Sequence, residues 1–104
     1  MLDRRLEDLP GYELIAEGLT DIAAKVESTS ALLIAIGAPR LRYLGLPVPY
    51  EAEQPVDPEL RLYRLLGQQS GYDAYSRYNS LIRRLVRFER ALEHRLARAR
   101  SSFR

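Results

Sequence analysis

From Tyr12 onward, apolar residues recur at spacings of three and four. Tyr12, Ile15, Leu19, Ile22, Val26, Thr29, Leu33 and Ile36 form one stripe at helical period, with Thr29 its only polar member. The cluster Ser28-Thr29-Ser30 inside that stripe offers short hydroxyl side chains that compete for backbone donors, so residues 12–36 read as one long helix or as two with a fresh cap. Gly37 followed by Pro39 predicts the end of this region, because glycine suits the left-handed cap and proline cannot continue the hydrogen-bond ladder.

Pro39 to Gly45 then reads as a helix of one to two turns, proline first and glycine past the end. Residues 46–57 hold Pro47, Pro49 and Pro55 and predict a Pro-rich loop. Asp57-Pro58-Glu59 opens a second short helix, with Asp57 as N-cap, Pro58 in the first turn and Gly67 at the close.

The last segment has the strongest pattern. Ser70 and Asp73 stand at capping-box spacing, and Ala74, Tyr78, Leu81, Leu85, Phe88, Leu92 and Ala99 follow at heptad steps. This predicts a long basic amphipathic helix over 71–100. Tyr75, Ile82, Val86 and Leu96 widen its apolar side beyond what one antiparallel neighbour covers.

The expected fold is therefore all-α: a small helical bundle in one domain over 1–104. Its long C-terminal helix packs antiparallel on an N-terminal helix or helix pair, with two short helices and the Pro-rich loop between. Ile15, Leu19, Ile22, Val26, Leu33, Leu81, Leu85, Phe88 and Leu92 are the expected shared core. Leucine (18) and alanine (11) outnumber isoleucine plus valine (9), which agrees with helix over strand.

Composition narrows function mainly by exclusion. The chain has no cysteine and one histidine, which removes thiolate zinc sites, cysteine nucleophiles and histidine-pair metal sites, so no metal or cofactor is expected. The longest apolar run, Ala31 to Ile36, is far below the roughly 20 residues that span a bilayer. The first eight residues alternate charge with leucine, unlike a signal peptide, and the expectation is a cytoplasmic protein without a membrane role.

Net charge is only +2, yet residues 1–76 carry 12 acids against 7 bases and residues 77–104 carry 2 acids against 9 bases. Of the 16 bases 15 are arginine, a bias that a GC-rich genome or a hot habitat would each produce. Arg83, Arg84, Arg87, Arg90, His94 and Arg98 share one ridge of the last helix at steps that can match a line of phosphates or an acidic partner. The plainer alternative is a solvated helix face, relieved locally by Glu89 and Glu93. A second alternative comes from Glu13, Glu17 and Asp21, an acidic stripe on the first helix that could face the ridge within one chain or between two.

Arg87 precedes His94 by seven residues. That spacing resembles the Arg-to-His pair of the helical HEPN ribonucleases, although Phe88 stands where that family commonly has a polar residue. The resemblance covers residues 87 to 94 and implies general acid-base and phosphate-binding roles for the pair, a third-ranked ribonuclease reading. A di-iron site is not expected, since Ala91 occupies the position three before His94.

Seven tyrosines against two phenylalanines supply rigid area with polar tips, as interfaces use, or cap the edges of a small core. With two apolar stripes, complementary charge stripes and no catalytic set, the first expectation is a non-enzymatic protein-protein interaction module that forms a homodimer. Tyr75, Tyr78, Ile82, Val86 and Leu96 are its candidate interface. Nucleic-acid binding by the arginine ridge stands second.

Overall fold

A computed structural model describes residues 4–101, which form four α-helices and no strand. Helix α1 spans Tyr12–Ala23, α2 Thr29–Tyr43, α3 Pro58–Ser70 and α4 Ala74–Ser101, with 3-10 turns at Arg4–Leu6, Tyr50–Glu53 and Gly71–Asp73. The expected all-helical small bundle with a long C-terminal helix is what the chain forms.

The hydroxyl cluster does divide the first stripe in two. Lys25 adopts a left-handed conformation (φ 59), Val26 N–H bonds back to the Asp21 carbonyl at 2.8 Å and Lys25 N–H to Ile22 at 3.0 Å, which closes α1. Ser28 then caps α2, its Oγ accepting from Ala31 N–H at 3.1 Å. The turn between brings α1 back onto α2. At their contact Gly18 has no room for a side chain, since a Cβ there would lie 2.5 Å from the Ser30 carbonyl and from Ile34.

Three boundaries differ from expectation. Gly37 and Pro39 do not end a helix; α2 runs through both to Tyr43 and absorbs the short helix expected over 39–45. Burial explains this, because Ala31 to Ala35, Gly37, Ala38 and Leu41 are all buried and so α2 meets neighbours on nearly every side. That packing outweighs the roughly 3 kcal/mol that an interior proline costs, and Pro39 itself lies on the exposed side.

Helix α3 likewise continues through Gly67 to Ser70, and although Pro58 starts it as expected, the Asp57 side chain makes no capping bond. Asp57 instead sits in the left-handed region at φ 51. Ser70 is no capping-box residue either. Its Oγ accepts from Arg77, and a 3-10 turn leads into α4.

The core is centred on α2. Ile15, Leu33, Leu85, Phe88 and Leu92 are buried in it together, with Leu19, Ile22 and Leu81 packed at its margin. Val26 departs from this set. It is 50% exposed, because it falls in the connection after α1 instead of on a continuous helix.

Gly37 of α2 lies against Leu85 and Glu89, and Arg40 reaches Glu89 and Glu93, so ascending positions on α2 and α4 meet. The part of the N-terminal region that runs counter to α4 is 5–11: Asp8 meets Arg95, and Gly11 meets Arg84 and Phe88. The Pro-rich loop is fastened rather than loose. Leu46, Val48 and Ala52 are buried, and Arg42 donates to the carbonyls of Val48 (3.1 Å) and Pro49 (3.2 Å) and to Glu53 (2.7 Å) while its guanidinium lies over the Tyr50 ring.

Candidate functional site

Helix α4 has 28 residues, and its regular turn decides what each side chain faces. At about 100° per residue, Arg83, Arg87, Arg90, His94 and Arg98 fall within an arc of about 80° and extend about 22 Å along the axis. All five are exposed, as are Ser76 and Ser80, which continue the same line toward the helix start. Arg84 is exposed too but stands on the flank of the ridge, its backbone carbonyl against Gly11.

None of the acids expected to relieve this ridge does so. Glu89 and Glu93 turn toward Arg40 of α2, at 3.7 and 3.0 Å. Glu89 is buried, and burial pushes its carboxyl above the usual glutamate range, with Glu93 adding to the rise and Arg40 opposing it. On α1, Glu17 accepts from the buried Ser30 hydroxyl at 2.6 Å and Asp21 from Ser28 at 2.6 Å. These two acids thus secure the α1–α2 connection instead of meeting arginine. Among the described residues, no ion pair joins Arg83, Arg84, Arg87, Arg90, His94 or Arg98 to an acid.

His94 opens on a cleft of about 460 Å³ that it lines with Leu9, Ala91, Arg95 and Arg98. Arg95 is committed there, donating to the Arg5 carbonyl at 2.6 Å and to Asp8 at 2.8 Å, and this bond holds the Asp8 carboxyl below its usual range. Arg87 does not line the cleft. Two helical turns, about 10.5 Å, separate it from His94 on an open face.

The five candidate interface residues divide between core and surface. Tyr78, Ile82 and Leu96 pack against the core, Val86 is half-buried, and Tyr75 is 66% exposed. The extra apolar width of α4 is thus largely covered by its own chain, through α2 and α3. Tyr78 meets Tyr63 of α3 edge-on, with ring centres 6.0 Å apart, and burial together with the nearby Glu59 raises its phenol pKa.

Several aromatic and aliphatic groups are exposed on the surface. Leu60, Tyr63, Tyr72 and Tyr75 are exposed at the α3–α4 hairpin, Tyr72 completely, and Tyr43 and Tyr50 are exposed beside the Pro-rich loop. Five of the seven tyrosines therefore serve no core.

Sequence patterns missed the two arginines of α2. Arg40 and Arg42 look like ordinary last-turn bases favoured by the helix dipole, and their partners lie 53 and 11 residues away at Glu93 and Glu53. No described helix is long and apolar enough to cross a membrane. No protein-family profile, curated protein or solved structure matches this chain.

Proposed function

We propose that this chain is a non-enzymatic helical interaction module that pairs with a second copy of itself through the aromatic face of the α3–α4 hairpin. The observation that carries the reading is the exposure of Leu60, Tyr63, Tyr72 and Tyr75 on α3, on α4 and in the turn between them, with Tyr63 packed edge-on against Tyr78. Tyrosine gives large contact area while losing little rotamer freedom, and exposed aromatic area of this kind is enriched in interface cores. Glu59, Asp73, Arg64 and Arg77 stand exposed on the same two helices and the turn between them, so both signs of charge are at hand for a two-fold contact in which acid meets base.

Sedimentation velocity at micromolar concentration tests this. The expected result is a dimer at low and at moderate salt, with Tyr72→Ser combined with Tyr75→Ser weakening association by about tenfold or more. Both side chains are exposed, so the double variant keeps its fold and its circular dichroism spectrum stays the same. A wild-type chain that sediments only as monomer refutes the reading.

A further inference from the structure

We infer that the outer face of α4 binds the phosphate backbone of a nucleic-acid duplex, without regard to base sequence. The inference goes beyond self-pairing and does not depend on it. Four features of the face carry it, and each separates this partner from a different competitor.

The charge is unspent. Arg83, Arg87, Arg90 and Arg98 have no acidic partner among the described residues, and the only two acids of α4, Glu89 and Glu93, are held by Arg40. An ordinary solvated helix intersperses the two signs, so that i,i+4 pairs relieve repulsion. Here the like charges at 83, 87, 90 and 98 are left to repel, which makes an external anion the natural counter-charge.

The chemistry is guanidinium alone. The one lysine of the chain, Lys25, is elsewhere, and each arginine offers a planar fork that can bond two phosphate oxygens at once. Within the ridge arc, Ser76 and Ser80 are the other side chains beside His94, and hydroxyls are also common phosphate donors.

The face has no apolar centre. A protein interface needs a desolvated apolar or aromatic core, and the exposed tyrosines and Leu60 lie at the hairpin or beside the Pro-rich loop, not along the ridge. An acidic protein is therefore the poorer fit. Single strands are held by grooves with aromatic platforms for the bases, and the ridge is convex with no aromatic on it; a duplex offers the denser line of charge, one per about 1.7 Å of axis.

The length is adequate. A ridge of about 22 Å lets its four arginines each reach a separate phosphate.

Fluorescence anisotropy with a labelled 20-base-pair DNA duplex reads this directly. Four contacts give a log-log salt slope of about −3.6, so affinity should fall about 150-fold between 50 and 200 mM salt. Two duplexes of unrelated sequence should bind alike. Arg87→Gln with Arg90→Gln should reduce the slope to about −1.8, whereas Lys25→Gln with Arg61→Gln removes the same charge from outside the ridge and should leave the slope near that of the wild type.

Three results overturn the inference: no binding at 50 mM salt, equal loss in both double variants, or a single strand or polyglutamate binding as tightly as the duplex. Because the readout is duplex binding and not self-association, a monomeric protein that binds duplex refutes only the pairing, and a dimer that ignores duplex refutes only this inference.

Discussion

On α2 both arginines are engaged: Arg40 reaches Glu89 and Glu93 of α4, and Arg42 fastens the Pro-rich loop through Val48, Pro49 and Glu53. On α4 the arginines at 83, 84, 87, 90 and 98 have no acidic partner among the described residues. The two helices differ in what lies opposite them. α2 is surrounded by α1, α3, α4 and the loop, so both of its arginines find a partner on another segment. The outer face of α4 has nothing opposite. Local spacing would have paired Glu93 with Arg90 or Glu89 with the ridge, yet the acids went to a base on a crossing helix, where partial burial strengthens the attraction. Which charges are spent in folding is thus decided by topology, and those left over mark the surface available to a partner.

The contrast can be broken most severely from the α2 side. Leu33 is fully buried at the centre of the bundle, and Leu33→Ala should cost about 2 to 5 kcal/mol, measured by urea unfolding. Against a typical total of roughly 5 to 15 kcal/mol, this brings the protein close to unfolding. A loss below 1 kcal/mol would mean that α2 is not the centre of the core.

A smaller effect is expected where α1 hands over to α2. Ser28 Oγ accepts from Ala31 N–H and its hydroxyl donates to Asp21, so Ser28→Ala removes a cap and leaves the carboxylate without that donor. About 1 kcal/mol should be lost, and Ser28→Asn or Ser28→Thr should restore part of it. Equal stability of the alanine and threonine variants would show that the cap bond contributes nothing.

The helical class, the choice between one helix and two over 12–36 and the ridge were legible in the sequence because each rests on local periodicity or on a local cap, though only the structure decided for two. Ser28 capped α2 where the hydroxyl cluster indicated, and all six ridge residues are exposed. The failures share one cause. Gly37, Pro39 and Gly67 read as stops only if the helix must stand alone, and in α2 tertiary packing overrode that local preference. Val26 was misplaced by carrying one stripe across a chain reversal. The Arg40 pairing was invisible because it joins residues 53 apart, and no local rule reaches that far. The same blindness hid the coverage of Ile82 and Leu96, which looked like surplus width but pack against the core.

The acids of α4 give a pH test of the contrast. Glu89 has a folded pKa above the usual 4.5, so folding favours its protonated form. Its contribution to stability is present in full below the unfolded pKa and is lost as pH rises through the folded value. Urea midpoints taken from pH 4 to 7 should therefore show this loss in the wild type and not in Glu89→Gln, so the variant gains relative to the wild type as pH rises. Asp8 shifts the other way, its folded pKa being lowered by the bond from Arg95, so its contribution is lost as pH falls. Comparing the two proteins cancels Asp8 and leaves Glu89. Parallel pH profiles would show that the ionised carboxylate is as well solvated in the fold as outside it.

The smallest stability effect is the one that sharpens the contrast most, because its sign is unusual. Arg87 is exposed, makes no bond that packing depends on, and stands four residues after Arg83 and three before Arg90. Like charges at these spacings destabilise a helix by about 0.2 to 0.5 kcal/mol per pair. Glutamine has nearly the helix propensity of arginine, so Arg87→Gln should stabilise the protein by a few tenths of a kcal/mol. The gain should shrink in 0.5 M salt, where the repulsion is screened. Replacing a partnered arginine such as Arg42 should do the reverse and destabilise at any salt concentration, since it releases the loop. If Arg87→Gln instead lowers stability at low salt, the ridge is already neutralised within the protein. Self-pairing that covers it would do this and would show as a concentration-dependent midpoint, which a monomeric fold cannot give.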